Sequence, residues 1–383
     1  MQPLPLEGLK VLDLSRVLAG PLCTMMLGDL GATVIKIERP KTGDDTRGWG
    51  PPFDDRGESA YFLSVNRNKA SVAADFRQPE DQALLHALAS EADLVVENYL
   101  PGTLEQFGLD AASMMARYPR LLWCTISGFG PDSRRPGYDF VTQAESGWMA
   151  ITGDPTGAPM KHGVALVDVI TGKDAAIGLL ALLVARERAA APLPAAQRHL
   201  HVTLADSARA ALVNVAQNAL VSGRDARRWG NAHANLVPYQ LFEAADRPFV
   251  IAVGADGQWP PAMRALALDV LADDPDLRTN AGRLAHRARV VQAIADQVRT
   301  QPATFWMTRL EAAGVPCGVV RTVQESLAEL PGDVSTAART GVPPLWNGRV
   351  RLAPPRMDEH GVSVRAKQWS FADDLPIPLS VDV

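Results

Sequence analysis

The chain has 383 residues, of which 47% are hydrophobic and 21% are charged, and its formal net charge is −5. This length allows two domains and more than one apolar core. A nucleic-acid-binding protein needs a basic face to neutralise the phosphates of the nucleic acid, and the negative net charge argues against such a face.

Other features of the sequence bear on compartment and metals. The longest apolar run, Ala175–Ala185, is too short to cross a bilayer, and the first residues lack the pattern of a secretory signal. The three cysteines, Cys23, Cys124 and Cys317, are odd in number and far apart. They suggest neither a disulfide framework nor a zinc site. We therefore predict a cytoplasmic protein with no membrane segment and no metal.

Strands alternate with helices in the first half of the chain. In chain order, the predicted elements are strand Lys10–Leu14, helix Ala19–Leu30, strand Thr33–Ile37, strand Ser71–Asp75, helix Glu80–Glu91, strand Leu94–Glu97, strand Leu121–Ser127, a long helix from after Asp168 to about Arg188, strand His201–Ala205 and helix Ser207–Val221. This alternation predicts an α/β fold with a mostly parallel, doubly wound sheet.

The composition changes after this region. An arginine-rich stretch without apolar periodicity is followed by a second, smaller α/β unit, with strand Phe249–Val253 and helices Trp259–Leu271, His286–Thr300 and Thr304–Ala313. The predicted domain boundaries are a large domain over residues 1–221, a linker over 222–235, a small domain over 236–320, a second linker over 321–340 and a C-terminal segment, 341–383, that returns to the large domain.

The first strand–helix–strand unit is also typical of dinucleotide-binding folds. The first turn, Ser15–Pro21, lacks the Gly-x-Gly-x-x-Gly that lets the backbone approach a pyrophosphate. The later pair Gly128 and Gly130 follows a strand, but Ser133 occupies the third glycine position. We therefore expect no nicotinamide cofactor, and the absence of a P-loop argues equally against an ATP enzyme.

The segment from Gly163 to Leu183, GVALVDVITGKDAAIGLLALL, places Asp168 among apolar neighbours and just ahead of a long helical run. A carboxylate at the positive end of a helix, with little water around it, suits a nucleophile that attacks a thioester. Asp is also a preferred helix N-cap, so a structural role stands beside the catalytic one. Asp168 by itself does not decide between them.

Seven collinear stretches carry a resemblance to a known family. They are LEGLKVLDLSRVLAGP, LGDLGATVIKIERPKTGDDTRGW, FLSVNRNKASVAADFR, ADLVVENYLPGTLEQFGLD, the Asp168 segment, LEAAGVPCGVV and PPRMDEHG. On these stretches the chain resembles the class III coenzyme A transferases, the family of formyl-CoA transferase and carnitine CoA-transferase, whose fold also serves alpha-methylacyl-CoA racemase. The resemblance implies a large Rossmann-like domain, a smaller α/β domain, CoA or acyl-CoA as substrate, and a homodimer whose chains interlock like linked rings.

The resemblance also implies a set of CoA-binding residues. They are Val17, Leu18, Arg39, Lys69, Arg77, Asn98, Tyr99, Phe107 and Tyr138. Arg39 would contact the adenine nucleotide, while Lys69 and Arg77 would meet the phosphates. The Asn98 amide would bond adenine or pantetheine, and the Tyr99 ring would stack.

Four further residues are assigned to the substrate pocket by the same resemblance. Trp49 and Tyr61 would wall the channel, and the turn with Gly254 and Gly257 would lie at the reacting group. Leu18 replaces the glutamine of formyl-CoA transferase, which suggests a larger or less polar acyl group than formyl or oxalyl. No cationic cluster fitted to a dicarboxylate is visible in the sequence.

The catalytic residues separate a transferase from a racemase. The racemase needs a second acid–base site, but Tyr138 stands where its histidine would be, and a phenol is a poor base at neutral pH. A transferase needs one covalent carboxylate, which we predict to be Asp168, with oxyanion donors from the helix start after Asp168 or from the turn Gly254–Gly257. A racemase or epimerase, and a CoA-binding member without activity, remain the alternatives.

Overall fold

The computed structural model describes residues 3–330, 334–342, 344 and 348–374. Parts of the predicted linker 321–340 and of the predicted segment 341–383 lie outside the described residues. The chain forms two compact units. The first contains the described residues of Met1–Trp148, Lys161–Arg224 and Leu330–Val383, and the second contains Met149–Met160 and Asp225–Glu329.

The strands belong to two sheets. They are β1 (Lys10–Asp13), β2 (Thr33–Glu38), β3 (Lys69–Ala73), β4 (Leu94–Glu97), β5 (Leu122–Ser127), β6 (His199–Thr203), β7 (Tyr239–Glu243), β8 (Pro248–Ala252) and β9 (Cys317–Val319).

The helices are mostly short, with one long exception in the first unit. They are α1 (Ala19–Asp29), α2 (Ala60–Leu63), α3 (Pro79–Glu91), α4 (Ala111–Arg117), α5 (Asp139–Glu145), α6 (Trp148–Ile151), α7 (Leu166–Arg188), α8 (Ala195–Arg198), α9 (Leu204–Ala210), α10 (Val213–Ser222), α11 (Trp259–Ala265), α12 (Asp269–Asp273), α13 (Asn280–Ala285), α14 (Arg287–Val298), α15 (Ala303–Ala312), α16 (Val323–Leu327), α17 (Val334–Thr340) and α18 (Gly361–Lys367). Among the described residues, none of these helices has both the length and the hydropathy needed to cross a membrane.

The first unit is built on a six-stranded sheet of order β3-β2-β1-β4-β5-β6, in which all neighbours are parallel. Successive residues of a strand face opposite sides of the sheet, and β1 shows this directly. Val11 packs in a core with α1 and α7, whereas Leu12 packs in a core with α3 and α4. The predicted doubly wound parallel sheet is therefore confirmed.

The strand order reverses between β1 and β4. In sheets of this kind, ligands bind beyond the carboxyl ends of the strands at such a reversal. The loop after β1 and the segment after β4 meet at this point, because the Asn98 amide bonds the backbone of Arg16. The fold thus predicts a ligand site at the loop Ser15–Leu18 and at the residues that follow Glu97.

Several predicted boundaries differ from the structure. Strand β3 begins at Lys69, two residues earlier than expected, because Lys69 pairs in register with Val34. The predicted helix Trp259–Leu271 is two helices, because Ala267 adopts a left-handed conformation with φ of 57° between them. The predicted helix Ser207–Val221 is likewise two helices, α9 and α10.

The second unit holds the antiparallel sheet β7-β8-β9, and its core contains large apolar side chains from the sheet and the surrounding helices, such as Phe249, Trp259, Val290 and Trp306. The sequence predicted only the central strand of this sheet. Strands β7 and β9 are only partly buried, and β9 has only three residues, so their sequences carry a weak pattern.

Candidate active site

Asp168 lines a cavity of about 230 Å³ at the reversal of the sheet. The cavity also contains the loop after β1, the start of the segment after β4, and residues just ahead of α5. Predicted site residues that line it are Val17, Leu18, Asn98, Tyr99, Tyr138 and Asp168. The fold thus brings together six residues from distant parts of the sequence, of which Val17 and Asp168 are 151 positions apart.

Asp168 lies in the first turn of α7, which begins at Leu166, and is therefore not the N-cap of this helix. Asp139, which is distant in the sequence, caps the start of α7 instead. Its Oδ1 atom accepts hydrogen bonds from the backbone N–H groups of Val167, at 2.8 Å, and of Asp168, at 3.4 Å. The side chain of Asp168 therefore does not cap the helix, which was the structural role that the sequence left open.

Two effects raise the pKa of Asp168 to about 7, first its burial and second the nearby carboxylate of Asp139. Asp139 itself is buried and also accepts a hydrogen bond from Gln143 Nε2 at 2.5 Å. At neutral pH the Asp168 carboxylate therefore coexists with its acid form. An ionised group in this setting is poorly solvated and correspondingly nucleophilic.

The raised pKa predicts a pH-dependent effect of Asp168→Asn on stability. Between pH 3.8 and about 7 the unfolded chain has lost this proton while the folded chain retains it, so the wild type loses stability as pH rises through this window. Asn carries no such proton. We expect the thermal midpoint of the variant, minus that of the wild type, to be larger at pH 8 than at pH 5. Equal differences at both pH values, measured by calorimetry, would contradict the assignment.

Tyr61 and Trp49 form an aromatic pair in the first unit. Their ring centroids are 5.1 Å apart and the planes meet at 76°. Burial, and then the charges of Asp168, Asp139 and Asp44, raise the pKa of Tyr61 to about 12. The Tyr61 hydroxyl therefore remains a hydrogen-bond donor within the electrostatic field of Asp168.

A second cavity, of about 450 Å³, lies at the carboxyl ends of β2 and β3. Among the residues that line it are Arg39, Arg77, Tyr99 and Phe107. The guanidinium groups are exposed and paired with acidic neighbours, Arg39 with Asp45 and Arg77 with Asp75. Tyr99 lines this groove and also the Asp168 cavity, so one aromatic residue borders both.

The prediction that Lys69 meets a phosphate is wrong. Its side chain is fully buried, and its Nζ atom bonds Asp13 Oδ2 at 3.0 Å, the Pro21 carbonyl at 2.8 Å and Asn66 Oδ1 at 3.0 Å. Burial lowers the pKa of Lys69 to about 8. The ammonium group is part of a buried network and does not face a ligand groove.

Asn98 holds protein backbone. Its Oδ1 atom accepts from Arg16 N at 2.9 Å, and its Nδ2 atom donates to the Arg16 carbonyl at 2.7 Å. Both halves of the amide are thus engaged with the loop after β1. The predicted bond from Asn98 to adenine or pantetheine stays a prediction, while its contact with the loop is direct.

One predicted source of oxyanion donors is also wrong. The N–H groups of Val167 and Asp168 bond Asp139, and Val169 N bonds the Ala165 carbonyl at 3.1 Å. The start of α7 therefore has no spare donor at these three positions.

Gly254 and Gly257 belong to the second unit. Gly254 N donates to Gln258 Oε1 at 3.0 Å, and Asp256 in the same turn is paired with Arg283 at 2.9 Å. The side chain of Arg283 is fully buried, so the turn is firmly anchored within its own unit. The place of Gly254 and Gly257 in the substrate pocket stays a prediction.

Two residues of the site were missed by the sequence interpretation. Asp139 lies 29 residues before Asp168, and no local spacing links them. Arg16 lines the Asp168 cavity with its guanidinium over the Tyr99 ring at 4.9 Å, and its buried Nε atom has no partner. The stretch LSRVLAGP contained the signal for Arg16, since a cation in the first turn faces the ligand side of such a sheet. Among the described residues, no cluster of three or more His, Cys, Asp or Glu side chains is arranged to hold a metal ion.

Comparison with known proteins agrees with this geometry. Residues 6–361 match the family described as CoA-transferase family III. Succinyl-CoA:glutarate CoA-transferase of Mus musculus is 42% identical over 382 residues, covering 98% of this chain and 84% of that protein. Succinate–glutarate CoA-transferase of Agrobacterium fabrum is 40% identical over 333 residues, covering 85% of this chain and 82% of that protein.

A solved structure shows the same fold. The crystal structure of a CAIB/BAIF family protein from Brucella suis superimposes with a TM-score of 0.81 at 39% identity, covering 96% of this chain and all of that one. The chain belongs to CoA-transferase family III. It is an enzyme that moves CoA between an acyl-CoA and a carboxylic acid.

Proposed function

We propose that the enzyme exchanges CoA between succinyl-CoA and a short dicarboxylic acid such as glutarate, through covalent intermediates on Asp168. Relatives at 40% and 42% identity carry this activity in their names. The observation that carries the mechanism is the partly buried Asp168 carboxylate in a cavity bordered by Tyr99, which also borders the groove with Arg39 and Arg77. One residue thus connects the reacting group with a cationic groove.

The groove fits the nucleotide end of CoA. Arg39 and Arg77 would pair with its phosphates, because a guanidinium forms charge-assisted hydrogen bonds with such anions. Tyr99 and Phe107 would contact adenine, and Phe76 makes T-shaped contacts with both at 6.0 and 6.2 Å between ring centroids. The pantetheine arm would then pass Tyr99 and Arg16 into the Asp168 cavity, past Val17, Leu18 and Tyr138.

The reaction begins with attack of an Asp168 oxygen on the thioester carbonyl of the donor. The C–S bond breaks, CoA leaves as a thiolate, and an acyl-aspartyl anhydride remains. The thiolate then attacks the Asp168 carbonyl, which releases the donor acid and forms an aspartyl-CoA thioester. The acceptor carboxylate attacks this thioester, the C–S bond breaks, and the released thiolate leaves an acceptor-aspartyl anhydride. The thiolate then attacks the acceptor acyl carbonyl of this anhydride, which forms the new acyl-CoA and regenerates the Asp168 carboxylate. No net proton, oxidant or reductant is consumed.

Asp139 and Tyr61 support this chemistry in different ways. Asp139 orients Asp168 through the backbone of α7 and, after burial, adds to the rise in its pKa, which strengthens the nucleophile. Tyr61 keeps its proton and is the donor that we propose for the oxyanion, beside the aromatic wall of Trp49.

The proposed exchange is tested by incubating the enzyme with succinyl-CoA and glutarate and separating the CoA esters by chromatography. Glutaryl-CoA and free succinate should form in equal amounts. Incubation of a chiral 2-methylacyl-CoA in deuterated water, without an acceptor acid, provides the contrast. Deuterium at the α-carbon together with no glutaryl-CoA would contradict the transferase and indicate the racemase.

We also propose a cytoplasmic homodimer with interlocked chains. Helix α10 has no buried residue, and three of its apolar side chains, Val213, Leu220 and Val221, are between 68% and 77% exposed. An apolar helix face of this kind usually marks a contact with another protein. A second copy of the chain fits the family resemblance.

The dimer predicts a specific effect of Leu220→Glu. The charge would be buried at the contact without a partner, and interlocked chains cannot separate once folded, so the variant should yield less dimer and more aggregate than the wild type, by light scattering during size exclusion. Val270→Glu, on α12 of the second unit, changes an equally exposed apolar residue and should leave the wild-type mass. A monomeric wild type would contradict the proposal.

A further inference from the structure

The loop after β1 is held by side chains from three other segments. Lys36 Nζ donates to the Ser15 carbonyl at 2.7 Å, and Asn98 bonds both backbone groups of Arg16. Val17 N donates to Asp44, at 3.3 Å from each carboxylate oxygen. Three consecutive residues of the loop are therefore fixed from outside it, and two of them, Arg16 and Val17, line the Asp168 cavity.

Val17 has a backbone conformation that its side chain disfavours. Its φ angle is 72°, in the left-handed region, where a β-branched residue is strained. Such strain persists only where the surroundings determine the conformation. The N–H group of Val17 points at Asp44 in this conformation, which identifies the group that holds it.

Asp44 is itself fixed in place. It is 1% exposed, and its Oδ2 atom lies 3.0 Å from Nζ of the fully buried Lys36. Its Oδ1 atom accepts from Thr46 N at 3.0 Å and from Thr46 Oγ1 at 2.8 Å. The carboxylate thus serves four donors, of which Val17 N is the one in the cavity wall. No step of the proposed reaction uses Lys36 or Asp44.

We propose that Asp44, paired with the buried Lys36, is a positioning residue for the Asp168 cavity, because it holds Val17 in the left-handed conformation that shapes the wall against the acyl group. This inference rests on the proposed function of Asp168. If Val17 relaxed to a negative φ, its peptide would rotate and the Leu18 side chain next to it would leave its place in the wall. A misplacement of about 1 Å at a reacting centre lowers turnover by up to about 100-fold.

The test is a rescue experiment with Asp44→Asn and Val17→Gly. Asn has one acceptor oxygen where the carboxylate has two, so it cannot serve both Lys36 and the backbone donors. We expect Asp44→Asn to lower kcat by about 30–100-fold. Glycine adopts a positive φ without strain, so Asp44→Asn should lower kcat at least about 10-fold less in the Val17→Gly background than in the wild type, whatever Val17→Gly alone does to acyl-CoA binding. Losses that simply multiply would overturn the proposal.

A second variant keeps the buried pair intact and covers the case in which Asp44→Asn does not fold. Val17→Pro fixes φ near −65° and removes the N–H group, whereas Val17→Ala loses similar side-chain contacts but keeps the N–H group, so kcat of Val17→Pro should be at least about 10-fold below that of Val17→Ala. Equal activity of these two variants would contradict the role of the left-handed conformation. Asp110→Asn is the matched control, because Asp110 also accepts from one backbone N–H and one hydroxyl, both of Ser113, and should leave kcat unchanged.

Calorimetric affinity for CoA, measured on the same proteins, distinguishes a failure of the proposed function from a failure of the positioning role of Asp44. If the wild type binds CoA but transfers none, the proposed function is wrong. The role of Asp44 is then judged by whether Val17→Gly restores the affinity that Asp44→Asn loses. Recovery supports positioning of the cavity wall, and its absence contradicts it.

Discussion

Asp168→Asn is expected to abolish CoA exchange, with kcat lowered by more than about 10³-fold. The amide has nearly the shape of the carboxylate, but it is not a nucleophile and cannot form the anhydride or the aspartyl thioester. Affinity for acyl-CoA should change little, because the groove with Arg39 and Arg77 remains intact. The measurement is the initial rate of glutaryl-CoA formation from succinyl-CoA, together with calorimetric binding of CoA.

Asp174→Asn is the matched control for this substitution. Asp174 lies on the same helix, and its carboxylate accepts from Ser207 Oγ at 2.7 Å outside the Asp168 cavity. The control should keep its activity within about 3-fold, because a surface substitution of this kind costs little. An Asp168→Asn variant as active as Asp174→Asn would show that Asp168 is a structural residue only.

Removal of both groove arginines, in Arg39→Met with Arg77→Met, is expected to raise KM for the acyl-CoA on the order of 30-fold. Both guanidinium groups are exposed in the free protein, so the effect arises when a phosphate displaces their acidic partners. Because the arginines are not at the reacting carbon, kcat should change by less than about 3-fold. The KM of the wild type should also rise more steeply with salt than that of the double variant.

Arg209→Met provides the control for the groove. Arg209 is equally exposed and paired with Asp206, but it lines neither the groove nor the Asp168 cavity. Its KM and salt dependence should match the wild type. A similar rise in KM for Arg209→Met, or an effect of the double variant on kcat alone, would contradict the proposed place of the CoA phosphates.

The sheet could be predicted from the sequence because its signal is local. Most strands of the first unit are short apolar runs bounded by a helix or a turn, and the alternation alone indicates parallel pairing. Strand β6, with the sequence HLHVT, is less apolar and begins two residues before the predicted strand. Lys69 shows the limit of this approach. A lysine at the start of a strand reads as a surface cation, and only the fold shows that Asp13, 56 residues away, receives its charge inside the protein.

The sequence also identifies the nucleophile but not its environment. Asp168 could be found because it lies in a distinctive stretch at the start of a long helix. Its raised pKa, by contrast, depends first on burial and second on Asp139, and both arise only from tertiary packing, such as that of α5 against α7. The strained conformation of Val17 and its contact with Asp44 are likewise tertiary, so no pattern in SRVLAGP indicates them.

The most direct test of the account is to trap the covalent intermediate on Asp168. The enzyme is incubated with succinyl-CoA and hydroxylamine, digested, and the peptide that contains Asp168 is examined by tandem mass spectrometry. We predict a hydroxamate on the Asp168 side chain that requires succinyl-CoA and is absent from Asp168→Asn. An unmodified Asp168 in an enzyme that still forms glutaryl-CoA would contradict the covalent mechanism.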